Sequence, residues 1–484
     1  MITYDICDTI MIWCQQICSS INCIRLLIAF LRMYKSRTVE NAILMRHAAQ
    51  RSGAIGIKLL QLIIMRDNIF TPEYKQHFEG MLEDCDRHSW DETARMYKED
   101  FKHDIDADYI LYSFDEDMFT SYIPVVPIGS GSIGQVYKLY SKTHKTYVAL
   151  KVKHPSADVI VHNFVATFNI LLRIAGWFND IPFKTIIQEF IDNVILQLDY
   201  VNEAHNTSKL RHNFQHERHI VIPEILDVSD RFIVMTYHDG AAFHSIEDSR
   251  LKRKISMDLN LFMAISFIDH DLLHCDLHDG NWKVQLDNEN MDDYKIVIYD
   301  CGIMGYTGNT DFNKKIMNTF YDGDYVKLID VILSYNHDLS CSSKSSRYKL
   351  LQEKIAEIMR DEESNMTERL SDIITKTLEL GFAVESNIAR CILSFNIFGK
   401  TLSVSADHVN KIIGDAKSKK SIIIHFYHYV MRRSNKYAPL LQYFNDCLQN
   451  DPSLQSTFHD WLNEEFGHTD EDVFFEVTAN ALGF

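Results

Sequence analysis

Two short acidic segments and one glycine-rich segment carry the residues in this chain that could do chemistry. The stretch His274-Cys-Asp276-Leu-His278-Asp-Gly-Asn281 sets a carboxylate and a carboxamide a few residues apart. A side chain such as Asp276 can accept or orient the proton of a hydroxyl, and Asn281 offers a hard amide oxygen to a divalent cation. Asp300-Cys301-Gly302 follows an apolar run, so a second carboxylate arrives at a strand end with a glycine to ease the turn behind it. A carboxylate there suits Mg²⁺ that bridges phosphate oxygens. Upstream, Gly129-Ser130-Gly131-Ser132-Ile-Gly134-Gln-Val136 is a segment whose backbone can approach an anion closely and whose amides can donate to it. Lys151, in Val148-Ala149-Leu-Lys, adds a cation on the next strand. The chemistry this set would perform is the handling of phosphate with a metal ion.

Taken singly, each segment has a plain structural reading. Glycine turns are common in hairpins, His and Asp clusters often sit in solvated loops, and Asp-x-Gly is a frequent turn. The order and the element types are more specific. A glycine-rich loop followed by a strand lysine is the protein-kinase arrangement, and the Asp276–Asn281 spacing is that of the kinase catalytic loop. A dinucleotide fingerprint would lead into a helix, whereas here a strand follows. On this reading Gly129, Ser130, Gly131, Ser132 and Gly134 cradle ATP phosphates, Lys151 contacts them, and Val136, Ala149 and Met235 line the adenine pocket. Those three are apolar and would be core on any reading. Met235-Thr236-Tyr237 stands where a hinge is expected.

Strands must position these groups. Tyr147-Val-Ala-Leu-Lys-Val is rich in β-forming residues, Phe232-Ile-Val-Met is a compact apolar run, and Trp282-Lys-Val-Gln-Leu and Lys295-Ile-Val-Ile-Tyr are joined by Asp287-Asn-Glu-Asn, good hairpin chemistry. Residues 1–120 read as helical, with apolar stripes over 42–65 and 73–97. Residues 121–240 carry strands broken by one long helical insertion, and 241–484 are mostly helical apart from two strands near 282–299. There is no internal repeat or low-complexity tract.

The 484 residues are 46% apolar and 24% charged, a composition that supports a sizeable core. A formal net charge of −18 excludes a nucleic-acid-binding surface, which needs clustered Lys and Arg. Ten cysteines form no paired CxxC framework, and the Cys14–Cys18 spacing has no second ligand pair; a reducing compartment follows. Near the amino terminus Ile10, Trp13, Ile17, Ile21, Ile24, Leu27, Ile28 and Leu31 form an apolar helical face, interrupted on the other side by Gln15, Gln16, Asn22 and Arg25. Those polar residues disfavour a membrane span. Arg32, Lys35 and Arg37 form a basic flank suited to an anionic membrane surface. The alternative is a helix packed on the protein's own body. Asp5 and Asp8 weaken a transit peptide, and no secretory cleavage pattern is present.

The set resembles the UbiB (AarF-domain) family of atypical kinases, with the likeness covering about 50–330. His274–Asn281 resembles that family's H-x-D-x-H-x-G-N loop. Gln197-Leu-Asp199-Tyr-Val-Asn-Glu203-Ala-His-Asn206 is similar to its E-L-D-x-x-x-E-A-x-N helix, and Lys58-Leu-Leu-Gln61, with Arg66, Asp67 and Pro72, to its K-x-G-Q extension. The resemblance implies that Glu203 pairs with Lys151 and that the extension folds over the active site and limits protein-substrate access. Departures are a glycine-serine loop where the family has an alanine-rich one, Gln197 for Glu, Leu60 for Gly, and Cys301 for the Phe of D-F-G. The segment after Asp300 lacks A-P-E, so a peptide-binding activation loop is not expected.

The implied fold is α+β and bilobal, protein-kinase-like, with a small mostly β N-lobe holding a helical insertion, a larger helical C-lobe and an N-terminal helical extension. Expected boundaries are 1–40 for a membrane-associating amphipathic helix, 41–120 for the extension, 121–240 for the N-lobe and 241–484 for the C-lobe. The implied function is an ATPase or kinase using ATP and Mg²⁺, with Asp276, Lys151 and Glu203 catalytic and Asn281 and Asp300 on the metal. It would support ubiquinone (coenzyme Q) biosynthesis or lipid homeostasis at a mitochondrial or other intracellular membrane. Its acceptor would be a small molecule, a lipid or a protein. The competing reading is a nucleotide-binding pseudokinase that scaffolds lipid or protein complexes. An aminoglycoside-phosphotransferase-like enzyme fits less well, because it lacks the Lys58–Gln61 extension and the Glu203–Asn206 helix.

Overall fold

A computed structural model of the chain describes residues 20–60, 87–110, 125–175, 184–286, 294–335, 346–360 and 366–394, apart from 31, 34, 37, 53, 54, 57, 58, 132, 156, 218, 322, 323, 383, 386 and 393. Ser132, Lys58, Gln61, Arg66, Asp67, Pro72 and the Asp287–Asn290 turn lie outside the described residues, as do Ile10, Trp13, Ile17 and Leu31. The chain divides into two units. The first comprises 1–209, 223–237 and 301–303, and the second 210–222, 238–300 and 304–484.

The first unit is built on an antiparallel sheet. Its strands are β1 (Tyr109–Ile110), β2 (Gly129–Ser130), β3 (Gly134–Ser141), β4 (Thr146–Lys153), β6 (Ile225–Val228) and β7 (Phe232–Thr236), in the order β1-β3-β4-β7-β6 with β2 on β3. The register sets the faces. Val136 opposes Lys151, Lys138 opposes Ala149, Ala149 opposes Met235 and Lys151 opposes Ile233. Directly opposed residues share a face and alternate residues change it. Tyr137, Leu139, Val148, Leu150, Val152, Phe232 and Val234 therefore point the other way, into a core with Met96, Tyr97, Ile105 and Tyr109. Helix α2 (Trp90–Phe101) supplies Met96 and Tyr97 and is started by Ser89, whose hydroxyl accepts the Glu92 amide at 3.3 Å.

Earlier in this unit, residues 20–30 are helical and α1 (Val39–Arg51) follows. Cys23, Leu26, Ala29, Phe30 and Met33 are buried with Met45, Ala49, Leu59 and Leu60. Ile21, Ile24 and Ile28, expected to share one continuous apolar face with Leu27, instead point to solvent at 41–47% exposure. The helix packs on its own unit through the neighbouring stripe, as the second reading of this segment expected. Among the described residues no helix is long and apolar enough to cross a membrane.

After β4 the expected single insertion is three helices, α4 (Ala157–Ala175), α5 (Lys184–Leu198) and α6 (Tyr200–Phe214), with the short α3 (Ile105–Asp108) upstream. Asp199 separates α5 from α6. Its carboxylate accepts the Asn202 amide at 2.9 Å, and its carbonyl accepts the Glu203 amide at 2.9 Å, which caps α6 one turn before Glu203.

The second unit holds the buried helix α7 (Ser249–Ile268) and the helices α8 (Thr310–Tyr321), α9 (Tyr325–Ser334), α10 (Ser346–Arg360) and α11 (Met366–Glu379). The sequence led us to expect two strands in 241–484; the described residues of that range contain four, and a strand from 220–221 joins them in this unit. The hairpin of β9 (Trp282–Gln285) and β10 (Lys295–Ile298) has β5 (Ile220–Val221) added in parallel, and β8 (Leu273–His274) pairs with β11 (Met304–Gly305). The two-residue strands were invisible to periodicity because no alternation can be read in two residues.

Candidate active site

In the first unit the half-buried face of the sheet carries Val136, Ala149, Lys151 and Met235, the face opposite the Tyr97 core. Lys151 Nζ donates to both carboxylate oxygens of Glu203, at 2.6 and 2.8 Å. The Glu203 side chain is only 3% exposed and that of Lys151 16%. In so dry a setting the pair fixes the lysine head group tightly, and each charge depends on the other. Tyr200, one turn before Glu203, lies under both Lys151 and Lys153, with ring centroid distances of 5.2 and 5.3 Å. The Lys153 head group also reaches Asp158 at 3.1 Å.

The glycine-rich loop departs from the sequence reading in two respects. A Cβ on Gly129 would meet nothing within 4 Å and one on Gly131 would lie 3.7 Å from the Gly134 carbonyl, and neither residue has a left-handed φ. Only Gly134 is required sterically, since its Cβ would come to 2.4 Å from both the Tyr200 hydroxyl and the Val152 carbonyl. The Gly131 amide, expected to face a phosphate, donates to the Gly134 carbonyl at 2.8 Å. Ser130 Oγ is buried with no hydrogen-bond partner among the described residues. Met235 packs with Tyr200, Ile233 and Ala149. Met235 and Thr236 are the last residues of β7, and Tyr237 continues it by donating its amide to the Tyr147 carbonyl at 3.2 Å.

In the second unit one residue organises the acidic groups. His274 is wholly buried; its Nε2–H donates to the Tyr299 carbonyl at 3.0 Å and its Nδ1 accepts the Asp276 amide at 3.2 Å. Burial holds its pKa below the ordinary histidine value. Tyr299 in turn donates its amide to the Asn281 carbonyl at 2.8 Å. Asp276, Asn281 and the residue before Asp300 are thus tied through His274 and Tyr299. Asn281 Nδ2 donates to the Asp276 carbonyl at 2.8 Å, which leaves Oδ1 as the amide atom able to meet a cation. His278 Nδ1 accepts the Gly280 amide at 3.0 Å, so the neutral ring carries its proton on Nε2, 3.9 Å from Asp276 Oδ2.

Asp300 has φ 54°, a left-handed backbone that Asp tolerates better than most residues. Cys301, in the place of a phenylalanine, is fully buried, and its carbonyl accepts Asn206 Nδ2 at 3.2 Å. Among the described residues no group of three or more His, Cys, Asp and Glu is placed to hold a metal. Mg²⁺ is ordinarily held by one or two protein groups together with substrate phosphates and water. Asn281 and Asp300 fit such a two-ligand role, and Asp300 stands two residues beyond the end of β10. His274, Asn206 and Tyr200 were quoted in motifs without an assigned task, and the motif positions themselves were the signal that could have found them.

A strand lysine paired with a helix glutamate, and an Asp–Asn loop joined to a following Asp-x-Gly, define a protein-kinase-like protein of α+β class. The ABC1 atypical kinase-like domain model matches residues 81–330, and the chain belongs to that family. It is 26% identical to the ABC1 family protein MCP2 of Saccharomyces cerevisiae over 59% of this chain and 52% of that one. It is 25% identical to the AarF domain-containing protein kinase 1 of Mus musculus over 51% of this chain and 46% of that one. With the probable protein kinase UbiB of Tolumonas auensis it shares 24% identity over 59% of this chain and 52% of the relative. The chain spans about half the length of these curated relatives.

Proposed function

We propose that this protein binds Mg-ATP and catalyses ATP-dependent phosphoryl transfer or hydrolysis, in support of ubiquinone biosynthesis or lipid homeostasis. The observation that carries the reading is the Lys151–Glu203 pair at 2.6 Å, a buried carboxylate spent on orienting one cation beside the glycine-rich loop. Lys151 would meet the phosphates, and Val136, Ala149 and Met235 the adenine. Gly129, Ser130, Gly131, Ser132 and Gly134 form the phosphate loop, with the Ser130 hydroxyl as a buried group that an anion would satisfy. Asn281 and Asp300 would hold Mg²⁺, whose charge offsets that of the phosphates. Asp276 would orient or accept the proton of the acceptor hydroxyl, with the Nε2–H of His278 facing it.

The ubiquinone link rests on the family resemblance, and so does a mitochondrial or other membrane-associated location. Exposed Ile21, Ile24 and Ile28 support contact with a membrane surface. Cys301 in place of an aromatic residue and the engaged Gly131 amide support the second reading, a nucleotide-switched scaffold without turnover.

The test is Mg²⁺-dependent ATP hydrolysis by the purified protein beside Asp300→Asn, with and without ubiquinone-like lipid and liposomes. Turnover lost in the variant supports the enzyme. Nucleotide-induced thermal stabilisation without turnover supports the scaffold. Neither effect would overturn both readings.

A further inference from the structure

We infer that His154, oriented by His88, is a positioning residue that clamps the glycine-rich loop. This rests on the reading of that loop as the nucleotide's phosphate site. His154 grips the loop twice: its amide donates to the Ile133 carbonyl at 2.7 Å, and its Nε2 meets the Gly131 carbonyl at 3.0 Å. A carbonyl only accepts, so Nε2 carries the proton. With the Gly131 amide bonded to the Gly134 carbonyl, the short span from Gly131 to Gly134 is held at both polar groups of Gly131 and at Ile133. Glycines lose more backbone freedom on ordering than other residues, so a loop built from them has most to gain from such a clamp.

The second histidine fixes the first. His88 Nδ1 and His154 Nδ1 are 2.8 Å apart, and the rings meet edge to face. In the neutral pair His154 Nδ1 must accept, because Nε2 is its donor, and His88 Nδ1 must donate. His88 Nε2 then accepts from the Thr93 hydroxyl at 2.9 Å, and Thr93 is itself 3.2 Å from the Tyr137 hydroxyl. His88 is also held by its backbone, its amide donating to Gln135 Oε1 at 3.2 Å and its carbonyl accepting Gln135 Nε2 at 3.1 Å. Gln135 and Thr93 are wholly buried. A rigid element thus runs from α2 and β3 through His88 to His154 and out to the loop. None of Thr93, Gln135, His88 and His154 is a candidate ligand or base, so their task is order, set ahead of binding.

The test compares His154→Ala, His154→Gln and His154→Asn with the wild type. A Gln amide nitrogen reaches about as far as Nε2 and an Asn nitrogen about as far as Nδ1. Two measurements are made on each: hydrogen exchange of the segment 129–134 without nucleotide, and Mg-ATP affinity by titration. His154→Ala and His154→Asn should speed exchange of this segment and weaken Mg-ATP binding about tenfold, the worth of one lost hydrogen bond, with His154→Gln close to wild type. His88→Ala should produce the same change at smaller amplitude. Unchanged exchange in His154→Ala, or equal loss in the Gln and Asn variants, would overturn the clamp. A wild type that binds no nucleotide while exchange still follows the pattern would count against the phosphate reading and leave the clamp supported.

Discussion

Gly134 and Tyr200 are in such close approach that one carbon atom would not fit between them: a Cβ on the glycine would lie 2.4 Å from the tyrosine hydroxyl. Tyr200 begins the helix that carries Glu203, so the third glycine of the loop sets how near the glutamate's helix can come to the lysine's strand. Gly134→Ala should cost about 1–3 kcal/mol, the usual penalty of overpacking, and lower the melting temperature. Gly131→Ala, where the nearest contact is an ordinary 3.7 Å, should melt with the wild type. Thermal unfolding of the two side by side decides it.

Removing one partner of the Lys151–Glu203 pair strands a buried charge. Lys151→Met should lower stability by about 3–5 kcal/mol, whereas Lys151→Met with Glu203→Leu should regain most of that loss. A double-mutant cycle in urea measures the coupling. Nucleotide binding should be lost in both variants.

The left-handed backbone at Asp300 separates charge from shape. Asn also tolerates φ 54°, so Asp300→Asn should keep the fold and lose Mg²⁺-dependent turnover. Asp300→Ala should lose the same turnover and in addition destabilise the protein by about 1–2 kcal/mol. Calorimetry of the pair beside an activity assay distinguishes the contributions.

Two neutral histidines give the stability an acid limb. Burial, and then the neighbouring His154, hold His88 down at about 4, and burial lowers His274. Both take up protons on unfolding at a pH where the folded protein leaves them neutral, so the unfolded state binds more protons and stability rises with pH. Their full contribution is present above the ordinary value of 6.5 and is lost progressively below it. The melting temperature should fall between pH 6.5 and 5, and His88→Asn should flatten part of that slope.

Gly305 is enclosed by sulfur. A Cβ there would lie 2.6 Å from both Cys275 Sγ and Cys391 Sγ, each belonging to a buried thiol. Gly305→Ala should displace the β8–β11 pair that leads into Asp276, costing about 1–3 kcal/mol in chemical denaturation.

The family and the kinase-like fold were legible because polar residues in fixed order on strand ends are rare by chance. The hairpin at 282–298 was readable from its β-branched residues, and Lys151 and Glu203 meet as the resemblance implied. The His88–His154 contact was not readable. It joins residues 66 apart through two ring nitrogens, and no local period marks such a pair. The fate of the Gly131 amide was equally hidden, since a glycine pattern says that the backbone can approach an anion and not whether the loop has already closed on itself. The apolar stripe of residues 20–30 misled for a third reason: Ile outranks Cys and Ala in hydropathy, yet close helix packing favours the smaller side chains of Cys23 and Ala29.

The register of β3, β4 and β7 also limits how this chain can change in length. Lys151 faces Glu203 while Leu150 and Val152 enter the apolar core, so neighbouring positions on one strand serve opposite ends. Deleting a single codon between Thr146 and Leu150 would turn the ammonium into that core and Val152 toward the glutamate. Insertions and deletions can therefore accumulate in the turn at 142–145, where the strand phase is free to reset, but within β4 they must come in twos.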